Sequence, residues 1–113
     1  MAARIREHVR PIPGVRDADI LVRLETERRR LVAYAVVLRV FEGGRFVSVR
    51  LYDYVRPHSE HHMHRYTRTG AKRQPPEVLQ YATVQEGFNA AVEQIRSSAG
   101  EMIDSWRRQK DQT

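Results

Sequence analysis

Two periodicities divide the chain. Between residues 20 and 52 apolar side chains recur at every second position, the spacing of a half-buried strand, and beyond residue 83 they recur at three and four, the spacing of an amphipathic helix. The clearest local signal is Gly43-Gly44, which suits a two-residue hairpin turn whose central residues both need positive φ. Placing Glu42 opposite Arg45 pairs Val40 with Val47, Leu38 with Val49 and Val36 with Leu51, six apolar residues on one face. The other face then carries Arg39–Ser48, Val37–Arg50 and Ala35–Tyr52. One strand earlier, a three-residue turn at Arg28-Arg29-Arg30 sets Leu24 opposite Tyr34, Val22 opposite Val36 and Ile20 opposite Leu38 on that same core face.

The helix announces itself with a capping box, Thr83-Val84-Gln85-Glu86, in which the threonine hydroxyl accepts an early backbone N–H and the glutamate reaches back. Phe88, Val92, Ile95, Ala99, Met102 and Trp106 follow as one stripe, widened by Ala91 and Ile103. Such a stripe is core, or the seam of a homodimer, far more often than a cofactor site. Between sheet and helix, Pro57 interrupts pairing and residues 61–68 read as a further strand. The expected fold is therefore α+β, an antiparallel sheet of three to four strands (about 20–27, 33–42, 45–54 and 61–68) packed against one long C-terminal helix (about 84–108). Residues 18–108 form a single domain on this reading. Residues 1–17, with Pro11, Pro13 and Gly14, are an irregular lead-in, and 109–113 are a polar tail.

Composition narrows the chemistry. A chain of 113 residues with no cysteine has no disulfide framework, thiolate zinc site or cysteine nucleophile, and fits the cytoplasm. No apolar run approaches the roughly 20 residues needed to cross a bilayer, so no membrane is expected as a partner. The net charge of +6 is clustered, at Arg28-Arg29-Arg30, at Arg65 and Arg68, at Lys72-Arg73 and at Arg107-Arg108 with Lys110. A field of this sign attracts RNA and other polyanions, although an arginine-rich turn is also a common solvated tip.

Four of the five histidines fall within residues 58–64. On a strand, His62 and His64 share a face with Tyr66, while His61 shares the other with Met63. Three readings compete. In the first, His62 and His64 exchange protons during RNA cleavage, Asp53 orients one imidazole, and Tyr66 stacks or donates. Arg50, Arg65, Arg68, Lys72 and Arg73 then hold nucleic acid. In the second, His-x-His aims two imidazoles at a metal ion, with Asp53 or His58 as a further ligand. In the third, the histidines are solvated or paired with Glu60 and Asp53. We adopt the first, with no metal and no cofactor assigned.

The stretch from Tyr34 to about Trp106 resembles the TumE-like toxins of toxin–antitoxin pairs. Arg50-Leu51-Tyr52-Asp53 is similar to that family's aromatic-Asp at the end of a strand, and His62-Met63-His64 to its His-x-His. Tyr81-Ala82-Thr83-Val84 is similar to the aromatic-x-Thr/Ser that leads into its last helix. Tyr54 stands where the family has asparagine, and residues 55–60 replace its glycine-rich link. The resemblance implies a toxin acting on RNA, a cognate antitoxin protein as partner, and Asp53, His62 and His64 as motif residues. The expectation is a nucleic-acid-directed module, a toxin-type, metal-independent ribonuclease. The alternative is a non-enzymatic protein- or nucleic-acid-binding protein, such as an antitoxin, a phage-type inhibitor or an accessory subunit.

Overall fold

The structure, a computed structural model, describes residues 3–56 and 59–109. Six strands follow one another as β1 (Arg4–Pro11), β2 (Ala18–Glu27), β3 (Arg30–Glu42), β4 (Arg45–Val55), β5 (Glu60–Arg65) and β6 (Glu77–Leu79), and the chain closes with α1 (Val84–Arg107). They form one antiparallel sheet in sequence order. The α+β class and the long terminal helix match the sequence expectation, but the sheet has six strands rather than three to four.

Both additional strands lie at sheet edges, and each escaped the pattern for a physical reason. β1 occupies what the sequence pattern predicts as irregular lead-in. Its Ile5 and Val9 are half exposed, so the strand buries almost nothing and carries no core-facing alternation. β6 is three residues long and follows Pro75-Pro76, a sequence that cannot donate to a ladder. β5 stops at Arg65, short of the expected 68, because the chain turns through Thr67–Ala71, where the Thr67 amide donates to the Ala71 carbonyl at 2.8 Å.

The turns behave largely as their residues demand. Gly43 and Gly44 take φ of 62° and 79°, a mirror-image turn matching the twist of the strands it joins. At the β2–β3 turn Arg28 and Arg29 adopt the same left-handed region, at φ 50° and 65°. Glu27 faces Arg30, and a register shift beside Glu25 and Thr26 restores the expected pairs Leu24–Tyr34, Val22–Val36 and Ile20–Leu38. A two-residue turn with a bulge has replaced the three-residue turn, with the same facing residues beyond it.

The β3–β4 hairpin departs from expectation in one consequential way. Glu42–Arg45, Val40–Val47 and Arg39–Ser48 pair as predicted, but the register shifts beside Leu38 and Arg39, so that Leu38 faces Arg50, Val37 faces Leu51, Val36 faces Tyr52 and Ala35 faces Asp53. Val49 is the extra residue. The bulge lets both Val49 and Tyr52 enter the core, at 3% and 2% exposure, where the unbulged hairpin would have left Tyr52 outside.

α1 covers one face of this sheet. Ile20, Val22, Val36, Leu38 and Val40 are fully buried beneath Phe88, Ala91, Val92, Ile95, Ala99, Met102, Ile103 and Trp106, so the helix stripe is committed to the core. Its start is the expected capping box: the Glu86 amide donates to Thr83 Oγ1 at 3.1 Å, and the Glu86 carboxylate accepts from the Ala82 amide at 3.2 Å. Among the described residues no helix is long and apolar enough to cross a membrane. Among the described residues the opposite face of the sheet carries no helix, and the histidine pair lies there.

Candidate functional site

The bulge builds the site. Downstream of Val49 every side chain of β4 changes face, which sends Tyr52 and Tyr54 toward α1 and turns Leu51 and Asp53 to the open face. β5 then lays His62 opposite Asp53 and His64 opposite Leu51. One bulge and one strand pairing thus bring Asp53, His62 and His64 together, and one ligand atom from each lies within 4.8 Å of the others.

These groups are largely withdrawn from water, with side chains exposed by 13% for Asp53, 17% for His62 and 11% for His64. His64 Nε2 stands 3.5 Å from Asp53 Oδ1, too far for a short charge-assisted hydrogen bond, and Asp53 Oδ1 and His64 Nδ1 are each buried with no hydrogen-bond partner among the described residues. The His62 and His64 rings lie 5.8 Å apart, edge to face, and His62 Nε2 is 3.6 Å from Glu60. Burial pushes His64 below the usual imidazole range. Asp53 opposes that shift, while Lys72 and His62 add to it. The balance disfavours the charged form of the His64 imidazole. Tyr66, bridged to Lys72 across a tight turn, has its phenol pushed up by burial and by the Asp53 charge.

The predicted nucleic-acid ligands divide. Lys72 acts on His64 and belongs to the triad's surroundings. Arg50 and Arg65 face each other on the helix side of the sheet, Arg50 because of the bulge and Arg65 by simple alternation after His64. Arg65 Nη1 lies 3.6 Å from Glu77. Arg68 is engaged by Glu42 at 3.0 Å and lies over the Trp106 ring at 4.0 Å. Arg73 is exposed beside Lys72, its amide donating to the Arg65 carbonyl at 2.7 Å. The arginine cradle expected around the histidine pair is thus not assembled there. His58, the other ligand considered for a metal, lies outside the described residues.

Sequence reasoning missed His61. Its ring is buried on the helix side, with Nδ1 2.6 Å from the Tyr34 hydroxyl and the rings of Tyr54 and Tyr81 at 4.7 and 5.1 Å. It borders a cleft of about 370 Å³ near the start of α1, also lined by Tyr54, Tyr81 and Thr83. The signal in the sequence is slight: Gly87, a poor helix former one residue before the helix's first large apolar side chain, sits where a Cβ would meet His61 and Tyr34.

Burial holds His61 below its usual range and raises Tyr34 far above its own, Tyr81 and Asp53 adding to the latter. A histidine with a depressed folded pKa binds fewer protons than the unfolded chain, so its contribution is complete above about pH 6.5 and is lost as pH falls. A tyrosine with a raised pKa contributes fully below about pH 10 and loses that contribution as pH rises. Urea melts at pH 5, 8 and 10.5 should show greatest stability in the middle, and Tyr34→Phe should flatten the alkaline limb. An alkaline limb unchanged by Tyr34→Phe would contradict the burial of that hydroxyl.

The chain belongs to a family described as a domain of unknown function, DUF7718, whose sequence model matches residues 11–112. No curated protein and no solved structure matches it.

Proposed function

We propose that this DUF7718 domain is a nucleic-acid-directed module of the cytoplasm, a toxin-type ribonuclease with a protein antitoxin as partner. Asp53, His62 and His64 are its reactive centre. The observation that carries the reading is the convergence of these three side chains, separated by up to eleven positions in sequence, on the face of the sheet that α1 leaves open. The net charge of +6, the Lys72 ammonium acting on His64 and the resemblance to TumE-like toxins support RNA as substrate and an antitoxin as partner.

Cleaving RNA by internal attack requires a base for the 2′-hydroxyl proton and an acid for the departing 5′-oxygen. His64, whose charged form burial disfavours, suits the base, with the Asp53 carboxylate beside it to orient and stabilise the imidazolium it becomes. His62, less buried and on the same face, then returns a proton to the leaving oxygen as the P–O bond breaks. Lys72 supplies positive charge for the phosphate.

The test compares wild type with His62→Ala/His64→Ala on an RNA oligonucleotide and on the all-deoxy equivalent, which lacks the nucleophile. We expect cleavage of RNA alone, reduced by roughly 10²–10⁴-fold in the double variant, and growth arrest on induction of the wild type only. Equal cleavage by both proteins would remove the histidines from the chemistry. No cleavage and no arrest at matched soluble levels would leave a non-enzymatic binding protein as the better reading.

A further inference from the structure

The carboxylate of Asp53 is in an unusual position for a buried anion. It sits 13% exposed, its Oδ1 accepts no hydrogen bond from any described residue, and His64 Nε2 is 3.5 Å away. Burying a carboxylate oxygen that accepts no hydrogen bond is costly. The separation itself is informative. It is long for a charge-assisted hydrogen bond, whose N–O distance is about 2.7–2.9 Å. Two atoms each about 2.1 Å from one tetrahedral ion stand about 3.4 Å apart.

His62 completes a set of two imidazoles and one carboxylate within 4.8 Å. All three project from paired strands of a sheet, so their backbones are fixed by ladder hydrogen bonds and only side-chain torsions remain to be adjusted. Glu60 Oε1, 3.6 Å from His62 Nε2, provides a carboxylate able to orient that ring, the usual outer partner of a ligating histidine.

From this geometry we infer that Asp53, His62 and His64 bind one divalent transition-metal ion of the zinc class. The mixed N₂O donor set favours such an ion over calcium or magnesium, which take oxygen ligands. Three protein ligands leave a coordination position open for water or a substrate oxygen. This inference goes beyond the function proposed above, replaces the proton-carrier roles given there to the two imidazoles, and shares with it only the triad as the working site. Were the ion bound, Asp53, His62 and His64 would hold it, and the chemistry it would supply is activation of a bound water as the base, a role given above to the His64 imidazole of the ion-free site.

The experiment is a titration of the metal-stripped full-length chain with Zn²⁺ alone by calorimetry, repeated for Asp53→Asn and His64→Ala, with circular dichroism to confirm that each variant is folded. We expect one ion per wild-type chain and at least a tenfold weaker affinity in each variant. Co²⁺ substitution should add visible absorption bands that Asp53→Asn alters. If His64→Ala fails to fold, the near-isosteric Asp53→Asn decides alone. No binding by the wild type at 100 µM Zn²⁺, or affinity unchanged by Asp53→Asn, overturns the inference. RNA cleavage provides a separate readout. A chain that binds Zn²⁺ through the triad and leaves RNA intact keeps the metal site and loses the ribonuclease reading. A chain that binds no ion and cuts RNA in the presence of EDTA keeps the ribonuclease and loses the metal.

Discussion

Trp106→Ala should remove about 4 kcal/mol of stability, the upper range for truncating a buried aromatic side chain. Trp106 is 2% exposed and lies in the last turn of α1. Three separate interactions converge on it. Its indole N–H donates to the Thr67 carbonyl at 3.3 Å, the Arg68 guanidinium lies 4.0 Å over its ring, and its body fills the end of the core beside Met102 and Ile103. Arg68 in turn reaches Glu42 at the β3–β4 turn, so the indole ties the helix end to two turns of the sheet. Domains of this size have only about 5–15 kcal/mol in total, so the loss should lower the midpoint of thermal unfolding by roughly 15 °C or more. Trp106→Phe retains most of the apolar contact and gives up the hydrogen bond, and should cost only about 1–2 kcal/mol. Equal losses for Ala and Phe would mean that the hydrogen bond, and not the packing, holds the helix end. A loss under about 1 kcal/mol for Ala would mean that the end of α1 is not docked as described. The segment Trp106 anchors, residues 67–72, carries Lys72, whose charge acts on His64, so the variant also tests whether the triad's electrostatic surroundings depend on the core.

The two halves of the molecule differ in how openly the sequence displays them. The helix-side core was readable because burial imposes periodicity: Val22, Val36 and Leu38 on strands, and Phe88, Val92, Ile95 and Trp106 on the helix, are spaced by the geometry of their elements. β1 and β6 were not readable because edge strands are held by backbone pairing, which leaves little mark on side-chain choice. The site was half readable. That His62 and His64 share a face follows from alternation alone. That Asp53 joins them depends on the bulge at Val49, and an unbulged hairpin would have turned Asp53 toward α1. No single residue announces that bulge. It is settled by the competition between Val49 and Tyr52 for the core, a balance of packing that requires the third dimension. The same shift removed Arg50 from the predicted phosphate ligands, so one local irregularity both assembled the triad and dismantled the arginine cradle drawn around it.

The second large effect concerns the only two glycines in α1, where the same substitution should have opposite signs. Replacing glycine by alanine within a helix normally stabilises it by about 1 kcal/mol, because alanine gives up less backbone entropy on folding. Gly100 should follow that rule: it is exposed, and a methyl group there would meet nothing within 4 Å. Gly87 should not. A Cβ at position 87 would overlap the His61 imidazole and lie 2.6 Å from the Tyr34 hydroxyl, two groups hydrogen-bonded to each other and packed beneath the first turns of the helix. Neither can swing into solvent, since Tyr34 is 4% and His61 6% exposed. Overpacking of this kind costs about 1–3 kcal/mol, and losing the Tyr34–His61 hydrogen bond adds about 1 kcal/mol. Against the helix-propensity gain, Gly87→Ala should therefore destabilise by about 2 kcal/mol while Gly100→Ala stabilises by about 1, both measured by urea denaturation at pH 8. A cycle with His61→Ala locates the cause: removing the ring opens the space, so in that background Gly87→Ala should recover most of its penalty through coupling of residues in contact. If Gly87→Ala proved stabilising in the wild-type background, α1 would have to sit farther from β5 than this fold places it. If the penalty persisted undiminished without the His61 ring, the obstruction would lie with Tyr34.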